Sequence, residues 1–212
     1  NGMDLDRFRG EIKEPRKPPK FLHVGRISFE KNCEVVLKAF ALILEKIPDA
    51  TLDIIGDGPA LTSIKIEAKQ IGVFDRCNFP GFVAHGSLHE IYPKYDLFLT
   101  ASTMETQGLV VLEAMACGLP CVGVNAYALP ELIQHERNGF VVEPFDHIHM
   151  AERALQLLGD PELYKKFSAQ SLAIAGEHEL NSCADRLESV YHSVVEKHRK
   201  KPAGLFGGLL PG

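Results

Sequence analysis

The chain has 212 residues, 45% of them apolar and 24% charged, with a net charge of −5. That is enough material for one full hydrophobic core with some helix to spare, and the mixed charges argue against a nucleic-acid-binding face while allowing a locally basic pocket. No apolar run reaches the roughly 18 residues of a membrane span, and the polar stretch Asn1–Lys20 does not read as a signal peptide.

Asn1–Lys20 carries Pro15, Pro18 and Pro19 among charges without periodicity, so residues 1–20 are expected to be an interdomain linker. Phe21–Gly25 is a run of strand length, after which Val35, Val36, Ala39, Phe40, Ile43 and Leu44 recur at helical spacing up to Pro48. The step repeats with Thr51–Ile55, the turn Gly56-Asp57-Gly58-Pro59 and a helix running to Gly72. Further strands are expected at Cys77–Phe82, Asp96–Ala101, Pro120–Val124 and Phe140–Val142, with helical patterns such as Leu109–Cys117 and Leu129–Gln134 between them. Nearly continuous apolar strands alternating with helices predict an α/β fold, a Rossmann-like doubly wound parallel sheet of about six strands with helices on both faces. After Glu143 only helical patterns remain, a C-terminal helical tail expected to pack outside the sheet. Residues 21–200 form the expected domain, and the glycine-rich stretch 201–212 a flexible tail.

The five cysteines, Cys33, Cys77, Cys117, Cys121 and Cys183, are odd in number and four lie in apolar runs, which suits packed free thiols in a reducing cytoplasm. Cys117 and Cys121 form a lone C-x3-C without the second pair a zinc site needs. His23 reads as a core residue, and His85, His89, His135, His147 and His149 as loop or surface residues.

Four clusters follow strands, where a doubly wound sheet gathers its ligand. Gly25-Arg26-Ile27-Ser28-Phe29-Glu30-Lys31-Asn32 sets a guanidinium fork and an ammonium beside a helix start, parts that suit a diphosphate. Taken alone, Arg26 and Lys31 read more readily as solvated loop charges; their position between a strand and a helix start tips the balance. Gly56-Asp57-Gly58-Pro59 allows a close backbone approach at Gly58 but lacks the third glycine of a dinucleotide fingerprint, so a plain turn is an equal reading. At Phe79-Pro80-Gly81-Phe82-Val83, amides beside Gly81 and Phe82 can read a nucleobase edge. The most specific cluster is Glu105-Thr106-Gln107-Gly108-Leu109, continuing through Glu113 to Ala116, where a loop carboxylate and a helix carboxylate flank a helix N-terminus. Glu113, set among Leu112, Ala114 and Met115, is costly to bury without hydrogen bonds, and a vicinal diol would supply them.

These motifs, with Gly118-Leu119-Pro120 and Asn138-Gly139-Phe140-Val141-Val142, resemble in order the C-terminal donor-binding domain of the retaining GT-B glycosyltransferases of glycosyltransferase family 4. The resemblance extends from Asn1 to about Lys200 and implies half of a GT-B fold, with an N-terminal acceptor-binding domain as the partner of this chain. It implies a hexosyltransferase that takes a UDP- or GDP-hexose, with no cofactor and no metal. Arg26 and Lys31 would hold the diphosphate and stabilise the leaving group, with Glu105 as the catalytic carboxylate near the sugar. Glu113 would accept from the ribose, Gly25, Gly58, Gly81 and Phe82 would line the nucleotide site, and Gln107, Gly108 and Leu109 would meet the sugar or phosphates. Gln107 stands where many members have phenylalanine, and Thr106-Gln107-Gly108-Leu109 resembles the branch that glycosylates diacylglycerol, so the implied acceptor is a glycerolipid or a glycan. That places the enzyme in the cytoplasm or peripherally at the inner face of the membrane. Ala126-Tyr127-Ala128 replaces a common glycine pair before Pro130 and Glu131. A noncatalytic nucleotide-sugar-binding or interaction domain and a GT-B sugar-nucleotide epimerase remain open beside the transferase.

Overall fold

Each apolar run forms a strand in the computed structural model, which describes residues 3–199. In chain order the elements begin β1 (Lys20–Val24), α1 (Cys33–Lys46), β2 (Thr51–Ile55), α2 (Leu61–Gln70), β3 (Cys77–Gly81) and the short α3 (His85–Leu88). They continue with β4 (Leu97–Leu99), α4 (Leu109–Ala116), β5 (Cys121–Val124), α5 (Leu129–Leu132), β6 (Gly139–Val142), α6 (His147–Gly159), α7 (Pro161–Glu177) and α8 (Leu180–Arg199). The expected flexible tail at 201–212 lies outside the described residues.

The strands make one parallel sheet in the order β3-β2-β1-β4-β5-β6. The winding reverses between β1 and β4, so the loops leaving those neighbouring strands open a crevice at their carboxyl ends, the usual ligand position in such sheets. Strands β1, β4 and β5 are buried almost throughout because helices cover the sheet. α1 buries Val35, Val36, Ala39, Phe40 and Ile43 on one stripe and packs against α2 and α6. It stops at Ile47, which precedes Pro48 and has left the helical region. α4 packs against α7, whose start is fixed by Pro161 and by the Asp160 carboxylate accepting from the amides of Glu162 and Leu163.

Strand β4 is shorter than the expected Asp96–Ala101. Asp96 is buried, and its carboxylate accepts from the amides of Lys20 and Arg16 and from the Arg16 guanidinium at 3.1 Å. Residues 3–19 have little regular structure, yet they lie strapped along the domain. Leu5 and Phe8 are buried, the Gly10 amide donates to Ala116 O, and Met3 bridges to Glu179. Of the helical tail, α6 and α7 join the core, whereas α8 leaves Leu187, Val190, Tyr191 and Val194 exposed. No described helix is long and apolar enough to cross a membrane.

Candidate functional site

The loops after β1 and β4 meet where the winding reverses, and Asn32 joins them. Its backbone is left-handed (φ 48°) and its buried amide donates to Ala101 O at 3.0 Å and Thr103 Oγ1 at 3.1 Å, while the Thr103 amide donates to Glu30 O. This stitching brings together two candidates far apart in sequence. Lys31 Nζ lies 2.7 Å from Glu105 Oε2, and the Gly108 amide at the start of α4 donates to Glu105 Oε1 at 3.1 Å. The Glu105 carboxylate therefore sits between an ammonium and a helix N-terminus, a position electrostatically prepared for an anion. Gly108 is required for this turn: its φ is 65°, and a Cβ there would meet Leu132 Cδ1 at 2.4 Å.

A cleft of about 530 Å³ is lined by Gly25, Arg26, Gly58, Phe82, His85 and Val110, among others. Phe82 presents an exposed ring to it, and Arg26 is exposed and makes no ion pair among the described residues. Gly58 has a structural reason of its own, because a Cβ would lie 2.3 Å from Ile27 O where the two loops cross. The plain-turn reading of this glycine thus has a direct physical basis. Of the candidates only Gly25, Arg26, Gly58 and Phe82 line the cleft; Lys31, Glu105, Gly108 and Glu113 do not, Gln107 and Leu109 are exposed at the start of α4, and Gly81 adjoins Phe82. A hollow of about 570 Å³ between Arg9 and Arg16 lies on the strap and gathers none of the candidates.

Glu113 is buried, 2% exposed, and its hydrogen bonds come from the chain itself. Tyr92 Oη donates to Oε2 at 2.6 Å, and His85 Nε2 lies 2.8 Å from Oε1. Burial raises the Glu113 carboxyl above its ordinary range, and the bonds from Tyr92 and His85 pull it partly back. Burial, reinforced by Glu113, holds the Tyr92 phenol well above its ordinary value, so it stays a donor. His85 is a surface residue as expected, with its ring exposed, and it also reaches inward through Nε2 to Glu113. Neither Tyr92 nor Asn32 stood out in the sequence; the available signal was Leu88, Ile91 and Tyr92 at helical spacing, which places Tyr92 on an inward face.

Beneath the Lys31–Glu105 pair His23 is fully buried, with Nδ1 2.9 Å from Leu99 O and Nε2 3.5 Å from Cys33 Sγ. Burial pushes this imidazole down to about 4 and the Cys33 thiol up to about 12. A neutral ring that donates through Nδ1 and accepts the thiol proton at Nε2 satisfies both contacts. All five cysteines are free, and among the described residues no three His, Cys, Asp or Glu side chains converge as metal ligands.

The model of the family described as "Glycosyl transferases group 1" matches residues 4–173. The chain is 31% identical over 193 residues to the N-acetyl-alpha-D-glucosaminyl L-malate synthase of Bacillus anthracis, spanning 91% of this chain and 50% of that protein. To the alpha-monoglucosyldiacylglycerol synthase of Streptococcus pneumoniae it is 38% identical over 136 residues, 64% of this chain and 31% of that one. It thus spans half or less of the length of these relatives. The fold superposes with a TM-score of 0.79 on Anabaena Alr3699/HepE in complex with UDP, at 22% identity, covering 91% of this chain and 56% of that one.

Proposed function

The chain belongs to the group 1 glycosyl transferases, and from that membership we propose that it is the donor-binding half of a retaining hexosyltransferase of glycosyltransferase family 4 that uses a UDP-hexose, with GDP-hexose as the alternative donor. The observation that carries this reading is the seat of Glu105 between Lys31 Nζ and the Gly108 amide. A diphosphate offers more charge and more acceptor oxygens than one carboxylate. It takes over the ammonium and, together with the exposed Arg26, neutralises the departing nucleoside diphosphate. Displaced from its cation, Glu105 turns to the hydroxyls of the donor sugar near the developing oxocarbenium charge. Glu113 receives the ribose, Gly81 and Phe82 flank the base, and the amides at Gly108 and Leu109, with Gln107 beside them, meet the sugar or phosphates.

The choice of UDP is supported by the UDP complex of Alr3699/HepE, which shares the fold. A glycerolipid acceptor is supported by similarity to the diacylglycerol-modifying enzyme of S. pneumoniae and by the Thr106-Gln107-Gly108-Leu109 wording; a glycan is the other candidate. The acceptor binds mainly to an N-terminal domain that completes the enzyme, which works in the cytoplasm or at the inner face of the membrane.

Melting curves of the chain with UDP, GDP and ADP test the reading. UDP is expected to give the largest rise, about 2.7 kcal/mol of stabilisation at a hundredfold excess over its dissociation constant, and Lys31→Ala to shrink it. No shift with any of the three nucleotides would overturn the proposal.

A further inference from the structure

Glu113 does not itself line the cleft and only 2% of it is exposed, but His85, which does line the cleft, holds its carboxylate through Nε2. Its two partners differ in how they are held. Tyr92 has no exposure and carries Oε2 from the inner side, so it is fixed by the core. His85 has a side chain 66% exposed, opens a helix of only four residues whose N-cap, Ala84, gives no side-chain bond, and leans on the strap through Phe8 at 5.6 Å between ring centroids. One partner is permanent and the other can leave.

We propose that His85 is a latch on the nucleotide site: in the free chain its Nε2 occupies the place on Glu113 that ribose hydroxyls take, and it swings into solvent when a nucleoside diphosphate binds. This rests on the reading of Glu113 as the ribose acceptor. His85 is then a positioning residue that sets nucleotide affinity through Glu113. Its Nε2 makes a hydrogen bond to the carboxylate that ribose hydroxyls have to replace, so part of the nucleotide's binding free energy is spent on releasing the ring.

Calorimetric titration of the chain with UDP and with 2′,3′-dideoxy-UDP tests the latch. The wild type should prefer UDP. His85→Ala should bind UDP about fivefold tighter, the fold-change of one hydrogen bond no longer displaced, with little change for the dideoxy nucleotide. His85→Gln, which keeps a donor for Glu113, should return UDP affinity toward that of the wild type. UDP binding to His85→Ala that is unchanged or weaker, while the wild type still prefers UDP, would overturn the latch alone. Equal binding of the two nucleotides by the wild type would instead remove the ribose reading of Glu113 and the latch with it.

Discussion

The loop half and the helix half of the site hold their carboxylates in opposite ways. Glu105, in the loop after β4, is partly exposed and kept in place by an ammonium and a backbone amide, both of which suit any anion. Glu113, in the second turn of α4, is buried and bonded to a phenol and an imidazole, contacts that depend on the carboxylate's own shape. A carboxylate held by an ammonium and a backbone amide can give both up to another anion, while a carboxylate held from the inner side by a phenol with no exposure is part of the core. The two glutamates lie eight positions apart and look alike in the sequence, yet one is built to move and the other to stay.

The largest test of this contrast is Glu105→Ala in the full-length enzyme. Transfer should fall about 100- to 1000-fold, the scale of losing one group that stabilises a transition state. UDP should bind at least as tightly as before, because Lys31 is released to the diphosphate, and the melting temperature should barely move. A parallel loss of UDP affinity would mean that Glu105 holds the nucleotide and is not displaced by it.

Below the loop half, His23 ties the site to the acid stability of the domain. Its pKa is depressed in the folded chain, from 6.5 to about 4, so the unfolded state binds the extra proton first. The stabilisation is complete above about pH 6.5 and disappears as pH falls toward 4, a loss on the order of 3 kcal/mol. Carboxylates titrate in the same window, so the measurement is urea unfolding of the wild type against His23→Gln. The variant's stability should decline less steeply with falling pH; parallel curves would show that His23 carries none of the effect.

Six strands, their order along the chain and the helices between them were legible because a parallel sheet covered by helices demands unbroken apolar runs, and Phe21–Val24 or Cys121–Val124 can do little else. The spatial order was not, since nothing in those runs says which strands are neighbours. The strap was hidden for a related reason: Leu5 and Phe8 have no periodicity, and only the tertiary fold shows that they are buried. Within the site, the loop candidates Lys31 and Glu105 were legible as charges beside helix starts, whereas the partners of Glu113 were not. Tyr92 and His85 come from a 3-10 turn and a four-residue helix; the spacing of Leu88, Ile91 and Tyr92 says only that Tyr92 faces inward, and nothing in it points to Glu113.

The smallest expected effect probes the helix half alone. Glu113→Ala leaves the phenol of Tyr92, which has no exposure, without an acceptor, and should cost about 1–3 kcal/mol in urea unfolding. Were this only the loss of side-chain packing, adding Tyr92→Phe would deepen the loss. If the cost is the orphaned hydroxyl, Tyr92→Phe should be destabilising by itself but restore part of the stability in the Glu113→Ala background, because the buried donor is gone. Additive losses in the double variant would place Glu113 with Glu105 as a second exchangeable charge, and the contrast between the two halves would fail.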